Sequence, residues 1–528
     1  MKTAVLFEKK SAPGKAGLLL NTDTLDTLDE SFKLHDKYQL EMKFTYPLNP
    51  DSMLNSYHVD TYIFLPNSLG ITPLTYSKED FYADLQEYIR LKTPAVLLRG
   101  MNAGEGAPLN RLEETMRRYS ASPHDPELAE AYQERLKMFC SIMKSALRDE
   151  EAFLERSSAS LNFETLIRNY LDRTVAILEA FRGTRILIEA PGVAPIALEI
   201  FRFVDEYLSL TANKYRCKLW VFLNTSSTFS WTVEMKRKIV SLIRYEIEYR
   251  KANQYPSIPA EDSENDALIY RAAVLKKVMA SVLFLKTTVR RDGVLMENLL
   301  FGIAAGVAMA FATVVSFVTA KFFYSELSLL VFAVVVLSYM GKDRIKELLR
   351  HYFQTKMRRY LYDYKTKIQS GFGKEVGVCR EGFLFVREDR VDPRILKIRN
   401  RDTFSLLANE GLGETVLLAR KHVSIFSKNC KNLFADFKVD GIVDIMRLNI
   451  RRFLWKMDNP AKELFLPDDD GETIRRITGK RLYHVNIVVR YGMVGREDRY
   501  TRYRIILGRN GIRQIVKFPE VTLVDQKV

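Results

Sequence analysis

Cysteine is scarce, with four in 528 residues, and the four lie far apart at Cys140, Cys217, Cys379 and Cys430. That spacing excludes a disulfide scaffold and leaves no CxxC pair for zinc or redox chemistry. Histidine is nearly as rare. None of His35, His58, His124, His351, His422 and His484 has a second His or Cys at metal-ligand spacing. HExxH, GxxxxGK[ST] and GxSxG are all absent, so zinc hydrolysis, P-loop chemistry and a nucleophile elbow have no sequence support. Ser141–Lys144 reads SIMK and matches SxxK, but it falls inside a helical run, which argues against a nucleophile. LPDDDGE carries Asp468, Asp469 and Asp470 without the alternating oxygen spacing of a calcium loop; it reads as an acidic turn before a helix at Thr473. The start of the chain has no apolar h-region, because Leu18, Leu19 and Leu20 are too short a run for a signal peptide. These absences point to a non-enzymatic protein with no cofactor or metal, although a catalytic pair assembled only by folding has no sequence signature.

Long apolar runs are present. Leu299–Ala320 holds 22 residues without a charge, and Leu327–Gly341 holds 15 more after the link KFFYSE. The first is long enough for a helix across about 30 Å of hydrocarbon at 1.5 Å per residue. The second reaches that length only if Phe322, Phe323 and Tyr324 form an interfacial belt. The pair reads as a two-helix transmembrane hairpin over residues 297–341. Lys276, Lys277, Lys286, Arg290 and Arg291 precede it, and Lys342, Arg344, Lys346, Arg350, Lys356, Arg358 and Arg359 follow it. The link carries only Lys321. Positive residues stay on the cytoplasmic side, so an inner-membrane protein with both termini cytoplasmic is expected. Gly302, Gly306 and Ala310 recur every four residues and offer a small-residue face. It suits packing against the second helix or against another copy.

Residues 1–292 read as a mixed α/β region. Ser56–Pro66 is strand-like, and Ser77 opens a helix near Lys78–Leu91. Helices are expected over Asp125–Glu155, Asn162–Phe181, Val233–Lys251 and Asp262–Leu285. Between them, Thr184–Ala190 and Lys218–Leu223 read as strands flanking a helix at Pro195–Leu210. That βαβ-like unit over 184–223 would make an enzyme site possible at its carboxyl edge.

Residues 342–369 read as one basic juxtamembrane helix, with nine Lys/Arg against three Asp/Glu. Residues 370–528 read as an α+β domain. An amphipathic helix is expected at Asp440–Met457. Antiparallel strands are expected at Tyr483–Tyr491, Tyr500–Gly508 and Ile512–Phe518, the last two joined by a type I′ turn at Asn510-Gly511.

The charge is uneven. The whole chain is +15; residues 1–341 carry −1 and residues 342–528 carry +16. Such asymmetry favours an anionic partner. Anionic lipid headgroups are the nearest candidates, met by Arg350, Lys356, Arg358 and Arg359 on the juxtamembrane helix. Arg502, Arg504, Arg509 and Arg513, interleaved with Tyr491, Tyr500 and Tyr503, form a second candidate surface. Arg and Tyr on an open sheet also suit nucleic acid, a less favoured partner here because no RNP1 string or GXXG clamp accompanies them. The sequence therefore predicts an α+β membrane protein, a two-helix transmembrane hairpin set between two cytoplasmic regions. Its expected role is a membrane-anchored, non-enzymatic scaffold, sensor or regulator, with homo-oligomerisation open. The alternatives are a membrane-tethered nucleic-acid sensor or effector, with the hairpin as anchor or oligomeric pore, and an enzyme at the βαβ unit.

Overall fold

A computed structural model describes residues 29–519 apart from 50, 105, 227–229, 262–263, 323–328, 358–360, 372, 401–412, 432, 434–436, 438 and 469–472. The N-terminal part forms β1 (Asp29–Leu34), β2 (Gln39–Pro47), β3 (Leu54–Pro66), α1 (Lys78–Asp84) and β4 (Leu85–Leu91). A helical part follows: α2 (Pro108–Ala121), α3 (Pro126–Arg156), α4 (Phe163–Gly183), α5 (Pro195–Ser226), α6 (Ser230–Ala252) and α7 (Asp266–Ala280). Next come β5 (Lys286–Arg291), α8 (Val294–Phe322), α9 (Leu329–Met357), β6 (Tyr364–Gln369) and β7 (Glu375–Val386). The chain continues through α10 (Pro393–Arg399), β8 (Glu414–Phe426), α11 (Ser427–Lys431), β9 (Gly441–Asn449), β10 (Ala461–Pro467) and β11 (Ile474–Lys480). It closes with β12 (Tyr483–Met493), β13 (Arg499–Gly508) and β14 (Gly511–Lys517).

The long helices form where the sequence signals agree. Asp125 accepts the Glu127 amide at 2.9 Å and caps α3, with Pro126 in the first turn, where no amide bond is needed. Leu136, Phe139, Met143 and Leu147 are then buried at helical spacing. Ser77 and Asp80 make a capping box at α1, but that helix ends at Asp84 and the chain enters β4.

Two antiparallel sheets draw strands from both ends of the chain. The larger has the order β14-β13-β12-β3-β8-β7-β6-β5, and the smaller β1-β2-β9-β4. The N-terminal β3 lies between β12 and β8, and β9 lies between β2 and β4. Alternation in β3 sends Tyr57, Val59, Ile63 and Leu65 into one large core shared by both sheets and the helices. Tyr62 and Phe64 point to the opposite face, under Ile395 and Ile398 of α10.

Several expectations are corrected. The two-helix transmembrane hairpin is not what the chain builds. Among the described residues only α8 is, by length and composition, apolar enough to cross a membrane, with a mean hydropathy of 2.2 over its most apolar stretch and 11% of that stretch buried. In α9, Leu329 to Gly341 is uncharged, about 20 Å of helix, and Lys342, Asp343, Arg344 and Lys346 follow within the same helix. Its charged half lies beside α8: Arg350 sits 4.7 Å from the Phe301 ring centroid. The fold is therefore mixed α/β with large antiparallel sheets, and the two-pass description does not stand.

The strands expected at Thr184–Ala190 and Lys218–Leu223 are absent: Thr184–Leu187 is a short 3-10 turn, and residues 218–223 continue α5. Buried Ala212, Tyr215, Leu219 and Leu223 have the three-and-four spacing of a helix face, so no βαβ crevice exists there. The helix expected over 342–369 stops at Met357; Tyr364–Gln369 is β6, paired with β5. Asp440–Met457 is β9 and a short turn rather than a helix, and Ile474–Lys480 after the acidic loop is a strand. The expected strands at 483–491, 500–508 and 512–518 are present as β12, β13 and β14. Their last turn is not type I′. Arg509 and Asn510 bridge the paired Gly508 and Gly511, and only Gly511 takes a positive φ, 121°.

Candidate functional site around Lys421

Strand alternation builds the most unusual site. In β8, Leu417, Ala419, Val423 and Ile425 pack on the shared core, and Lys421 occupies the same face. In β7 the inward series is Cys379, Glu381 and Phe383; in β9 it is Ile442, Asp444 and Met446. Three charged side chains are thus carried into the interior by strands that pair far along the chain. The register sets Glu381 directly opposite Lys421. β4 adds Glu87 from the edge of the smaller sheet.

The lysine ammonium has three N–H donors and meets three carboxylates: Asp444 at 2.6 Å, Glu381 at 2.7 Å and Glu87 at 3.0 Å. The Met446 sulfur lies 3.4 Å away. The Tyr46 hydroxyl donates to Asp444 at 3.4 Å, and the Cys379 thiol to Glu381 at 3.5 Å. Asp444 is 1% exposed and Lys421 5%. Glu87 keeps 23% of its side chain open. Among the described residues one buried cation faces three carboxyl groups, which would leave an excess of negative charge if all three were ionised.

That imbalance sets the protonation states. Burial pushes Glu87 well above the usual carboxyl range against the pull of Lys421, and Glu381 and Asp444 add to the rise. Burial likewise raises Asp444, partly countered by Lys421. For Glu381 the burial penalty is overcome by Lys421 and by hydrogen bonds from Glu87, Lys421 and Cys379, and its pKa falls. For Lys421 the burial penalty is outweighed by Asp444, Glu381 and Glu87, so the ammonium form is favoured. Glu87 and Glu381 share a hydrogen bond, and of the two it is Glu87 whose neutral form burial favours. Burial and the neighbouring carboxylates also push the Cys379 thiol up, so it is no nucleophile. The cluster can hold a proton or an organic cation. Among the described residues no group of His, Cys, Asp and Glu is arranged to hold a metal.

Glu87 and Glu381 also form the floor of a cleft of about 310 Å³ between β4 and the β5–β6 edge, walled by Tyr82, Tyr364, Thr366 and Val289. The Tyr82 and Tyr364 rings meet edge to face at 4.6 Å, and the Tyr82 hydroxyl is held by Asp363 at 3.1 Å.

A second buried network ties α4, α5 and α6 together. Arg182 donates to Asp205 at 3.0 Å and Glu246 at 2.7 Å, and Ser209 donates to Glu246 at 2.6 Å. Tyr249 and Tyr255 both donate to Asp205, at 2.7 and 2.8 Å. The buried Arg216 lies 4.0 Å from Glu246, so two guanidiniums face two carboxylates, and the network acts as a clasp.

The basic residues read from the sequence are not gathered on one surface. Arg502 is buried; it donates to Asn486 at 3.1 Å and lies 4.4 Å from the Phe518 ring centroid. Arg504, half-buried, shares both partners. Tyr491, Tyr500 and Tyr503 are buried too, so this face offers no open stacking platform. Arg509 and Arg513 are exposed at the β13–β14 turn. Arg350 is exposed beside α8. Arg358 and Arg359, and the side chain of Lys356, lie outside the described residues. Gly302, Gly306 and Ala310 face away from α9; Ala304 and Ala308 make the buried face instead, and a Cβ at Gly302 or Gly306 would meet nothing within 4 Å.

The signal for the Lys421 cluster was present as single charges at inward positions of apolar alternations: Lys421 in LLARKHVSIF, Glu381 in CREGF and Asp444 in GIVDIM. No family model, curated protein or solved structure matches this chain.

Proposed function

We propose that the protein is a membrane-attached, non-enzymatic scaffold, held at an anionic surface by α8 and the basic residues around its base. The observation that carries this reading is an apolar helix exposed along its length that leaves the folded body at a sheet edge. The chain departs from β5 and returns at β6, its paired neighbour, so both ends of the α8–α9 segment are fixed at one place on the body. Exposed Arg290 and Arg291 end β5 next to that exit, and exposed Arg344, Lys346 and Arg350 lie along the part of α9 that returns to the body. An apolar helix with flanking cations combines hydrophobic partition with attraction to anionic headgroups, about 1 kcal/mol per basic residue near the surface.

Flotation of the full-length protein with anionic and neutral vesicles across a salt series tests the reading. Co-flotation is expected, stronger with anionic vesicles and weakened by salt. Val307→Arg with Val314→Arg is expected to abolish it, since each arginine replaces an exposed apolar side chain of α8 with a charge that resists burial in the apolar part of the bilayer. Wild-type protein that stays monodisperse without detergent and floats with neither vesicle overturns the proposal.

A further inference from the structure

We propose that the cleft between β4 and the β5–β6 edge is a binding site for a small organic ammonium ion with an apolar tail. Its floor presents the Glu87 and Glu381 carboxyls, and its walls present Tyr82, Tyr364, Thr366 and Val289. The volume of about 310 Å³ lies at the lower end of the range for small-molecule sites.

Three independent features converge on a cation. The floor belongs to a cluster in which three carboxylates share one ammonium, so it is short of positive charge. Thr366 is on the wall, 4% exposed, and its buried hydroxyl oxygen has no hydrogen-bond partner among the described residues. A buried polar group left unpaired costs free energy until a ligand satisfies it. Two tyrosine rings then supply the aromatic walls that favour a desolvated cation. A primary ammonium has three N–H donors, and Glu87, Glu381 and Thr366 are three acceptors. Leu85, Ile89 and Val289 provide an apolar lining for the tail.

In the ligand-free cluster, burial and the neighbouring carboxylates favour the neutral, proton-bearing form of Glu87. An incoming ammonium ion displaces that proton from the Glu87 carboxyl to solvent. Charge is conserved: one proton leaves as one cation enters.

Titration calorimetry on the full-length protein, with 2-phenylethylammonium chloride as probe and the neutral 2-phenylethanol as control, decides the matter. Saturable amine binding is expected, with an enthalpy that changes with the ionisation heat of the buffer. Glu87→Gln should weaken binding at least tenfold and remove the buffer dependence. Thr366→Val should weaken it several-fold. Val289→Trp, on an exposed edge strand, should block the cleft while leaving the Lys421 cluster untouched; if Glu87→Gln fails to fold, Val289→Trp and Thr366→Val carry the test. No saturable amine binding, equal binding by the neutral alcohol, or amine binding unchanged by Val289→Trp and Thr366→Val overturns the proposal.

Discussion

Replacing Lys421 by methionine keeps the length and most of the volume of the side chain while deleting the cation that three carboxylates share. Asp444 is 1% exposed and Glu381 11%, so neither can recover its hydration shell. Glu87, 23% open and already favouring its neutral form, can. The loss therefore falls on Asp444 and Glu381. Removing one partner of a buried ion pair costs about 3–5 kcal/mol, and that is the loss expected at pH 7, read as a fall in the urea midpoint of the full-length protein by circular dichroism. The pH dependence gives a sharper check. Without Lys421, both carboxyls have folded pKa values above their unfolded values near 4. Groups raised in this way contribute full stability below the unfolded pKa and lose it as pH rises through the folded pKa. The deficit should be small near pH 4 and full at pH 7–8. Asp444→Asn in the Lys421→Met background should restore part of it. A deficit below about 1 kcal/mol at pH 7, or one that does not change with pH, refutes the assignment of Lys421 as counter-ion to the cluster.

Other expectations follow from the same geometry. Glu87→Gln removes a carboxyl whose folded pKa is raised, so the stability of the wild type relative to this variant should fall as pH rises through the Glu87 titration; parallel midpoint measurements between pH 4 and 9 read the difference. Arg399 is buried, donates to Glu414 at 2.9 Å with a second guanidinium contact to the same carboxylate, and lies against Phe64. Arg399→Met should cost about 3–5 kcal/mol in the same unfolding assay, and Arg399→Lys should recover less than half, because lysine lacks the two-pronged fork. Gly511 has φ 121°, and a Cβ there would lie 2.2 Å from the Lys37 carbonyl, which already accepts the Ile512 amide at 2.8 Å. Gly511→Ala should cost about 1–3 kcal/mol, seen as faster amide exchange confined to β14 and its contacts.

Much of the local structure was legible. The caps and periodicity of α3, the apolar run of α8 and the alternating strands β12 to β14 all follow from short-range patterns that hold whatever the rest of the chain does. The misread segments have a common cause. β9 is buried between β2 and β4, partners roughly 350–400 residues earlier; with apolar side chains on both faces, its pattern resembles a helix. β6 follows a helical stretch and is strand only because β5, on the far side of the α8–α9 segment, pairs with it. Residues 218–223 are rich in strand-forming side chains, yet α5 buries them at helical spacing.

The sequence by itself determined where apolar and basic residues are concentrated, which long segments are helical, and that the chain contains no familiar catalytic or metal-binding motif. Only the tertiary structure decided which charges are interior. Lys421, Glu381, Asp444 and Glu87 come from four strands spread over more than 350 residues. Arg502, which reads as a surface cation, is enclosed by Asn486 and Phe518. A lone charge in an alternating strand has the same local pattern on either face, and strand pairing across the whole chain selects the face and supplies the partners.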